Sequence, residues 1–367
     1  MNKKALVIGL KSNMERVIKG LNEIEFIIID RGTLDNESID YIINLSDDLM
    51  HKKSFSYVIA SSEDFIALAG LLRNRYSLYG EKYYKSTIAT NKFLMRNFCS
   101  GFLSCPKFWL SGEIINSENL LLSSQKDYIV KPLTGSSAKH VETVTQEDLN
   151  QYLNENNKLM LIEEKVLMRD EYHLDCIIKD GNILFSTLSI YDRPILEAKS
   201  KNRASINLPD GTRLHEDALI LATNLQSHFE MTNGVFHIEM YHTQDGFILG
   251  EFGIRPPGAG VTDMYYMYRG VDFWEAFIYS QIDKEFILPL NHKSDKYCAA
   301  IGICSSFPVD DIRSTSKVSV DKYVNLRENA AKPAVPSSTS FNHMIYVSSS
   351  SLEEIRNFLH DISDRQE

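Results

Sequence analysis

The sequence has no apolar run that approaches the ~20 residues a membrane-spanning helix requires. Its start, MNKKALVIGL, combines lysines with a short apolar run, as a secretory signal does. The run ends at Lys11 and no cleavage site of small residues follows, so the stretch predicts a first β-strand instead. We therefore expect no membrane partner.

An excess of basic side chains is also missing. The 367 residues contain 39 Lys and Arg against 49 Asp and Glu, and the formal net charge is −10. This balance disfavours sequence-independent binding to nucleic acid or anionic lipid, because both are polyanions. With 43% hydrophobic and 24% charged residues, the composition is that of an ordinary globular protein, and the length predicts about two to three domains.

Cysteines are few, odd in number and without the spacing of metal ligands. This usage predicts reduced, structural thiols and a cytoplasmic location. The five cysteines are Cys99, Cys105, Cys176, Cys298 and Cys304.

The first 80 residues or so alternate short apolar runs with helical patterns. The runs ALVIGL, EFIIID, YIINL and SYVIA read as strands that are apolar on both faces, and a polar helix is predicted around 14–21. Strands of this kind indicate a parallel sheet covered by helices. In such a doubly wound α/β unit we expect the ligand at the carboxyl ends of the strands.

Helices and hairpins are predicted for the rest of the chain. A single helix is predicted at 82–98, and Pro106 and the strand FWL follow it. Asp-Gly turns at 180–181 and 245–246 predict the hairpins EYHLDCIIKDGNILFSTLSI and VFHIEMYHTQDGFILGEF. Further strands are predicted at KDYIVKPL, HVETV, LMLIEEKV, YCAAIGICSSF and HMIYV, and further helices at QEDLNQYLNENNK, 216–231 and SLEEIRNFLHDI.

Lys131 and the loop after it, KPLTGSSAKHV, offer an ammonium group and free backbone N–H groups to a phosphate. An ordinary surface hairpin explains this loop equally well. The charged strand end IEEKV (162–166) suits an adenine edge, and Glu171 suits ribose hydroxyls. For both, a solvated strand is the simpler interpretation when each is taken alone.

Two carboxylates mark the second hairpin. Glu239 and Glu251 stand on strands joined by an Asp-Gly turn, so pairing of the strands can place them side by side. Adjacent carboxylates repel each other unless a cation lies between them, and oxygen ligands suit Mg²⁺ bound together with phosphates. Arg255 follows the pair and can bind a phosphate or carboxylate through two hydrogen bonds.

In this order along the chain, the features resemble the ATP-grasp ligases. That family has an early lysine, a lysine before a glycine-rich loop, an adenine hinge, a ribose-binding glutamate, and two metal glutamates followed by an arginine. The resemblance covers roughly residues 1–285. It implies ATP binding by Lys92, Lys131, Gly135, Ser136, Ser137, Glu163, Glu164, Lys165, Val166 and Glu171, metal binding by Glu239 and Glu251, and a catalytic role for Arg255.

The resemblance implies an ATP-grasp fold. The expected parts are an N-terminal doubly wound parallel α/β domain (1–90), a linker helix and strand (91–125), a small central lid (126–190), a C-terminal antiparallel α+β subdomain with the metal site (191–290), and an unassigned C-terminal extension (291–367). Two residues depart from the family pattern. Gly253 replaces a metal-binding asparagine, and His140 replaces the last glycine of the loop.

The resemblance also implies an activity that uses ATP and Mg²⁺ or Mn²⁺. A carboxylate, most simply that of an amino acid, would be activated as an acyl phosphate and joined to an amine, with release of ADP and phosphate. The acceptor is open between an amine and the thiol of an acyl-carrier protein in antibiotic or other natural-product biosynthesis. A carrier protein would need a basic surface, for which 73–75 and 199–203 are the candidates. A nucleotide-binding protein without ligase activity is the alternative from another class, and a homodimer is an open question.

Several residues keep two interpretations. Arg203 is a candidate catalytic residue that holds the transferred phosphoryl group, or it is a solvated loop arginine. His237 orients the metal site or is a satisfied core histidine, and His173 has the same standing. The segment DMYYMYRG (263–270) lines a pocket or, more simply, packs as a helix with Asp263 and Arg269 on its surface.

Overall fold

The fold was analysed in a computed structural model that describes residues 3–30, 33–34, 37–115, 127–156, 158–198, 201–304, 312, 314–315, 317–326 and 341–364. Within these ranges, helices combine with three sheets, of three, four and eight strands. Among the described helices, none is long and apolar enough to cross a membrane.

The three-stranded sheet is parallel, with its first strand in the middle. The prediction of a parallel sheet covered by helices is therefore confirmed. Its strands are β1 (Lys3–Ile8), β2 (Ile24–Ile29) and β3 (Tyr57–Ala60), and the helices are α1 (Ser12–Lys19), α2 (Ile39–Lys52) and α3 (Glu63–Arg75).

The strand predicted at YIINL is wrong, because these residues lie in α2. The hydroxyl of Ser38 accepts a hydrogen bond from the backbone N–H of Tyr41 and so caps the helix start. Ile42, Ser46 and Met50, spaced by four residues, are buried along one side. A helical period in these buried positions outweighs the local run of β-branched residues.

The single helix predicted at 82–98 is two helices, α4 (Tyr83–Ile88) and α5 (Lys92–Cys99). Between them, the side chain of Asn91 accepts hydrogen bonds from the backbone N–H groups of Phe93 and Leu94. This cap starts a new helix and fixes Lys92 at its first position.

The four-stranded sheet, called the small sheet below, is antiparallel in the order β4-β7-β5-β6. The strand predicted at FWL is confirmed as β4. The strands are β4 (Phe108–Leu110), β5 (Asp127–Pro132), β6 (Glu142–Thr145) and β7 (Met160–Glu164), and the helices are α6 (Ser111–Ile115) and α7 (Gln146–Glu155).

The eight-stranded sheet, called the large sheet below, is antiparallel in the order β12-β11-β8-β9-β10-β13-β15-β14. Both predicted Asp-Gly hairpins are confirmed, as β8-β9 and β11-β12. The strands are β8 (Asp170–Lys179), β9 (Asn182–Tyr191), β10 (Arg203–Asn207), β11 (Gly234–Thr243), β12 (Gly246–Gly253), β13 (Tyr297–Ile303), β14 (Ser319–Asn325) and β15 (His343–Ser349).

Helices cover both faces of the large sheet. Helix α8 (Arg213–Phe229) and the closing helix α11 (Leu352–Asp364) pack against one face, and α9 (Val261–Arg269) and α10 (Phe273–Gln281) against the other. The hairpin β8-β9, which we expected in the central lid, belongs to this sheet. So do β13, β14 and β15 from the unassigned extension, and β14 lies in a polar stretch where no strand was predicted. The expected domain limits themselves stay a prediction.

Two arginines expected on the surface are buried. Arg269, at the end of α9, donates one hydrogen bond to Oδ1 of Asn207 and forms an ion pair with Asp210 at 2.9 Å. Arg73 donates to the backbone carbonyl of Val58, at 2.7 Å from Nη2. A buried guanidinium group needs such partners because its desolvation is costly. The partners here are not close neighbours in the sequence, so the local pattern does not reveal the burial. In the predicted basic surface at 73–75, Arg73 is therefore not available to a carrier protein.

Candidate active site

One cavity of about 1790 Å³ lies between the three sheets. The loop after β5, the end of β7 and the carboxyl ends of β1 and β3 form its walls, and one face of the large sheet forms its floor. Every predicted site residue lines it: Lys92, Lys131, Gly135, Ser136, Ser137, Glu163, Glu164, Lys165, Val166, Glu171, Arg203, Glu239, Glu251 and Arg255.

Lys131 is held in place by a buried carboxylate. Its Nζ lies 2.7 Å from Oε2 of Glu163, and the other oxygen of Glu163 pairs with Arg96. Burial alone would raise the pKa of Glu163, but Arg96 and Lys131 lower it below its usual value. With both oxygens paired, Glu163 positions Lys131.

Lys92 joins α5 to the loop and to the acidic strand. Its backbone N–H donates to Leu133 at 2.7 Å, its Nζ donates to the carbonyl of Gly135 at 2.5 Å, and its Nζ lies 3.1 Å from Oε1 of Glu251. Burial would lower the pKa of Lys92, but Glu251 and Glu63 raise it. The ammonium group therefore stays charged inside the cavity.

The loop after Lys131 takes an unusual backbone conformation. Gly135, Ser137, Ala138 and His140 have φ values of 108°, 61°, 53° and 55°. Left-handed values favour glycine, because other residues bring Cβ close to the backbone. His140 thus occupies a position where the glycine of the family pattern would be unstrained.

Glu239 and Glu251 are direct cross-strand partners in β11 and β12, as the hairpin predicted. A β-bulge follows the pair and leaves Gly250 as the extra residue, where an added Cβ would lie 3.0 Å from the carbonyl of Glu239. Burial would raise the pKa of Glu239, but His237 lowers it to about 2. Both side chains are 25% exposed to the cavity. Neighbouring carboxylates, one of them firmly ionised, fit a divalent cation.

Gly253 faces the same side of the hairpin and pairs with His237. A Cβ added at Gly253 would first meet the Cγ of Arg255, at 3.6 Å. This is ordinary van der Waals contact, so the missing asparagine is not excluded by space.

Arg255 is bound to a residue that sequence analysis missed. Its Nη2 lies 2.6 Å and its Nε 3.1 Å from Oε2 of Glu63, the first residue of α3. Burial raises the pKa of Glu63, Arg255 opposes that rise, and Glu251 adds to it. Glu63 follows β3 closely, so the rule that ligands bind at the carboxyl ends of parallel strands could have found it.

Arg203 is not the solvated arginine of the simpler interpretation. It is buried, and its guanidinium carbon lies 5.0 Å from the ring centre of Tyr191 and 5.8 Å from that of Phe341. Aromatic rings hold a guanidinium group by cation–π attraction and leave its N–H groups for an anion. Of the predicted basic segment 199–203, positions 199 and 200 lie outside the described residues.

Glu171 is buried at the edge of the cavity. Its Oε2 accepts a hydrogen bond of 2.8 Å from the backbone N–H of Ile195, in a short 3-10 helix at Ile195–Ala198. Burial and the nearby charge of Glu239 raise the pKa of Glu171 to about 8. A ribose hydroxyl could still contact the other oxygen, Oε1, so this hydrogen bond is compatible with the predicted ribose contact.

The remaining candidates belong to the core. His173 is fully buried and hydrogen-bonded to Asp175 and Ser205, as expected for a satisfied core histidine. Met264 and Tyr265 pack in the core, so the helix interpretation of 263–270 is confirmed.

No family model matches the chain. Over 261 residues it is 27% identical to a curated protein of Bacillus subtilis named L-arginine-specific L-amino acid ligase. The match covers 65% of this chain, and the chain spans only 60% of the length of that relative.

Solved structures resemble the chain over nearly its whole length. An L-amino acid ligase from Bacillus licheniformis has a TM-score of 0.76 at 14% identity, covering 99% of this chain and 98% of that one. A carboxyaminoimidazole ribonucleotide synthase from Aspergillus clavatus, complexed with ATP, has a TM-score of 0.71 at 15% identity and covers 99% of both chains. At these identities the likeness shows the fold, and the predicted ATP-grasp fold is confirmed.

Proposed function

We propose that this chain, which has the ATP-grasp fold, is an ATP-dependent ligase that activates a carboxylate and joins it to an amine. The observation that carries the proposal is one cavity that is lined both by a cross-strand pair of carboxylates and by four cationic side chains. The pair is Glu239 and Glu251, and the cations are Lys92, Lys131, Arg203 and Arg255. A phosphoryl-transfer site needs this combination, since its chemistry is mostly positioning and neutralisation of charge.

ATP is the nucleotide that this cavity fits. Lys92 and Lys131 supply charge for its phosphates, and the backbone of the loop at 135–137 supplies N–H groups. The hinge at 164–166 lines the cavity beside Glu171, and these residues suit adenine and ribose. The structure of a related fold complexed with ATP supports this choice.

Glu239 and Glu251 would hold the divalent cation. When bound, Mg²⁺ or Mn²⁺ would neutralise part of the phosphate charge. With or without the cation, Lys92 places a positive charge beside Glu251. Gly253 has no side-chain oxygen and so cannot be a third ligand through its side chain.

The reaction proceeds in two displacements. A carboxylate oxygen of the first substrate attacks the γ-phosphorus of ATP, the bond to the bridging oxygen breaks, and ADP leaves. The amine of the second substrate then attacks the acyl carbon, and inorganic phosphate leaves as the amine loses a proton. Arg203 and Arg255 stabilise the charge on the transferred group and on the reacting carboxylate.

An amino acid is the proposed carboxylate substrate, because the relative from Bacillus subtilis is named an L-amino acid ligase. An amine is favoured over a carrier-protein thiol, since Arg73 and Arg203, one basic side chain from each candidate segment, are buried and so not available to a carrier protein. The cytoplasmic location, a role in antibiotic biosynthesis and a homodimer stay predictions.

The test is a screen of paired carboxylic acids and amines for ADP release, with mass detection of a condensed product. We expect ADP and product in equal amounts for at least one pair, and loss of both in Glu251→Gln. A nucleotide-binding protein without ligase activity would bind ATP by calorimetry yet release no ADP with any pair, and this result would remove the proposal.

A further inference from the structure

A polar network lies in the floor of the large sheet beneath the carboxylate pair. β8 and β11 are antiparallel neighbours, and their register places Asp175 opposite His237 and His173 opposite Glu239. Because side chains alternate along a strand, all four project from one face. The two neighbouring strands β8 and β11 thus carry a row of polar side chains that ends at the cavity.

Asp175 is the centre of the network, and contacts with both of its oxygens hold it. Oδ1 lies 2.7 Å from Nδ1 of His237. Oδ2 lies 2.7 Å from Nδ1 of His173 and accepts a hydrogen bond of 2.6 Å from the hydroxyl of Tyr265, on α9. Nε2 of His173 lies 2.7 Å from Oγ of Ser205, on β10. Neighbours from two strands and a helix therefore fix the Asp175 carboxylate.

The cluster His173, Asp175 and His237 has the residue types of a metal site but not the spacing. Two nitrogens or oxygens bound to one tetrahedral ion at about 2.0–2.1 Å lie roughly 3.3 Å apart. The nitrogen–oxygen separations here are both 2.7 Å, which is a hydrogen-bond distance. The network therefore orients side chains without itself holding an ion.

His237 connects Asp175 to Glu239. Its Nδ1 faces Asp175, and its Nε2 lies 3.4 Å from Oε1 of Glu239. The hydroxyl of Tyr191 donates to the same oxygen, also at 3.4 Å. Oε2 of Glu239 takes no hydrogen bond from the residues that the structure describes, and the side chain is 25% exposed to the cavity. Oε1 of Glu239 is therefore held by His237 and Tyr191, and Oε2 can bind a ligand in the cavity.

We infer that His237 and Asp175 are positioning residues, which hold the carboxylate of Glu239 in the orientation that binds the divalent cation. This inference rests on the proposed function of the carboxylate pair. Contacts of 3.4 Å are long for hydrogen bonds, and such contacts commonly tighten when the ligand of a site is bound. Groups that orient a metal ligand usually change metal affinity by tenfold or more when they are removed.

Two substitutions of His237 separate positioning from folding. In His237→Asn the amide can take the place of Nδ1 and satisfy Asp175, but it is too short to reach Glu239. In His237→Gln the longer side chain can present an amide N–H where Nε2 stands. A matched control is His215→Asn, because His215 also bonds through a ring nitrogen, at 2.9 Å from Ser186, and lies outside the cavity.

Two quantities are measured. Electron paramagnetic resonance gives the dissociation constant of Mn²⁺ for the protein with ADP bound, and a separate titration gives the affinity for ADP without metal. We expect His237→Asn to weaken Mn²⁺ binding about tenfold and to leave metal-free ADP affinity unchanged. His237→Gln should recover most of the loss, and His215→Asn should match the parent. Unchanged Mn²⁺ affinity in His237→Asn, or an equal loss in His215→Asn, would overturn the inference.

The two proposals fail differently. If Glu251→Gln leaves Mn²⁺ affinity unchanged, the carboxylate pair is not the cation site and the proposed function loses its metal. If Glu251→Gln weakens Mn²⁺ binding but His237→Asn does not, the cation site stands and only the positioning role is wrong. Should His237→Asn fail to fold, Asp175→Asn keeps the size of the side chain but removes the charge that holds Nδ1 of His237, and it is expected to weaken Mn²⁺ binding. Unchanged Mn²⁺ affinity in Asp175→Asn would equally overturn the inference.

Discussion

The ammonium group of Lys92 lies 3.1 Å from Oε1 of Glu251. This contact joins the first turn of α5 to the carboxylate pair, so a fixed positive charge stands beside the place proposed for a divalent cation. The side chain also donates to the carbonyl of Gly135. Lys92 therefore links the loop after β5 to the proposed metal site.

Replacing Lys92 by methionine tests that link. We expect turnover to fall about 100-fold or more, because one charge that stabilises the transferred group is lost. The carboxylate pair loses its internal counter-ion at the same time, so added Mg²⁺ should raise the melting temperature more than in the parent protein. The control is Lys52→Met, which removes an exposed lysine paired with Asp48. Equal effects of Mg²⁺ on Lys92→Met and the parent would show that Lys92 does not balance the pair.

Lys131→Ala should weaken ATP binding by roughly tenfold or more, since a hydrogen bond to a charged group is worth about 1.5–3 kcal/mol. Calorimetry measures the affinity directly. Lys19→Ala, which removes an exposed lysine paired with Glu15 on α1, is the matched control. An ATP affinity equal to that of the control would remove Lys131 from the phosphate site.

Glu163→Gln should make stability depend less on pH. The folded protein lowers the pKa of Glu163, so the ionised group stabilises the fold above its unfolded pKa, about 4.3, and this contribution disappears as pH falls below that value. The free energy of unfolding, measured with urea, should drop in the variant near neutral pH and approach that of the parent in acid. Glu155→Gln, at an exposed position of α7, should show no such convergence. A loss of stability that is constant over the whole pH range would contradict the ion pairs of Glu163.

Gly253→Asn tests the departure from the family pattern. A side chain has room at this position, and an asparagine could supply the missing oxygen. We expect the Mg²⁺ concentration for half-maximal activity to fall several-fold at an unchanged melting temperature. An unchanged Mg²⁺ dependence would mean that the missing ligand does not limit the site.

Local patterns sufficed to predict the hairpin that pairs Glu239 with Glu251, because an Asp-Gly turn and strand alternation set its register. The ordered motifs likewise indicated residues that line one cavity. Contacts between distant segments could not be predicted in this way. Glu63 meets Arg255 across 192 residues, and Asp175 meets Tyr265 across 90, so neither pair leaves a periodic signal.

The other wrong predictions concern residues whose environment is set by contacts with distant parts of the chain. Arg269 and Arg73 read as surface residues because their partners are remote or are backbone carbonyls. The run at 41–45 has strand-forming residues, yet the helix that contains it is decided by the packing of one side. Tertiary contacts outweighed local preference in each case.

The most direct test of the central claim follows isotopic oxygen from the acid. A substrate carboxylate labelled with ¹⁸O is converted with unlabelled ATP and an amine, and the released inorganic phosphate is examined by mass spectrometry. Activation through an acyl phosphate leaves one labelled oxygen in each phosphate, because the amine displaces the oxygen that attacked phosphorus. Phosphate without label, released together with the condensed product, would contradict the account.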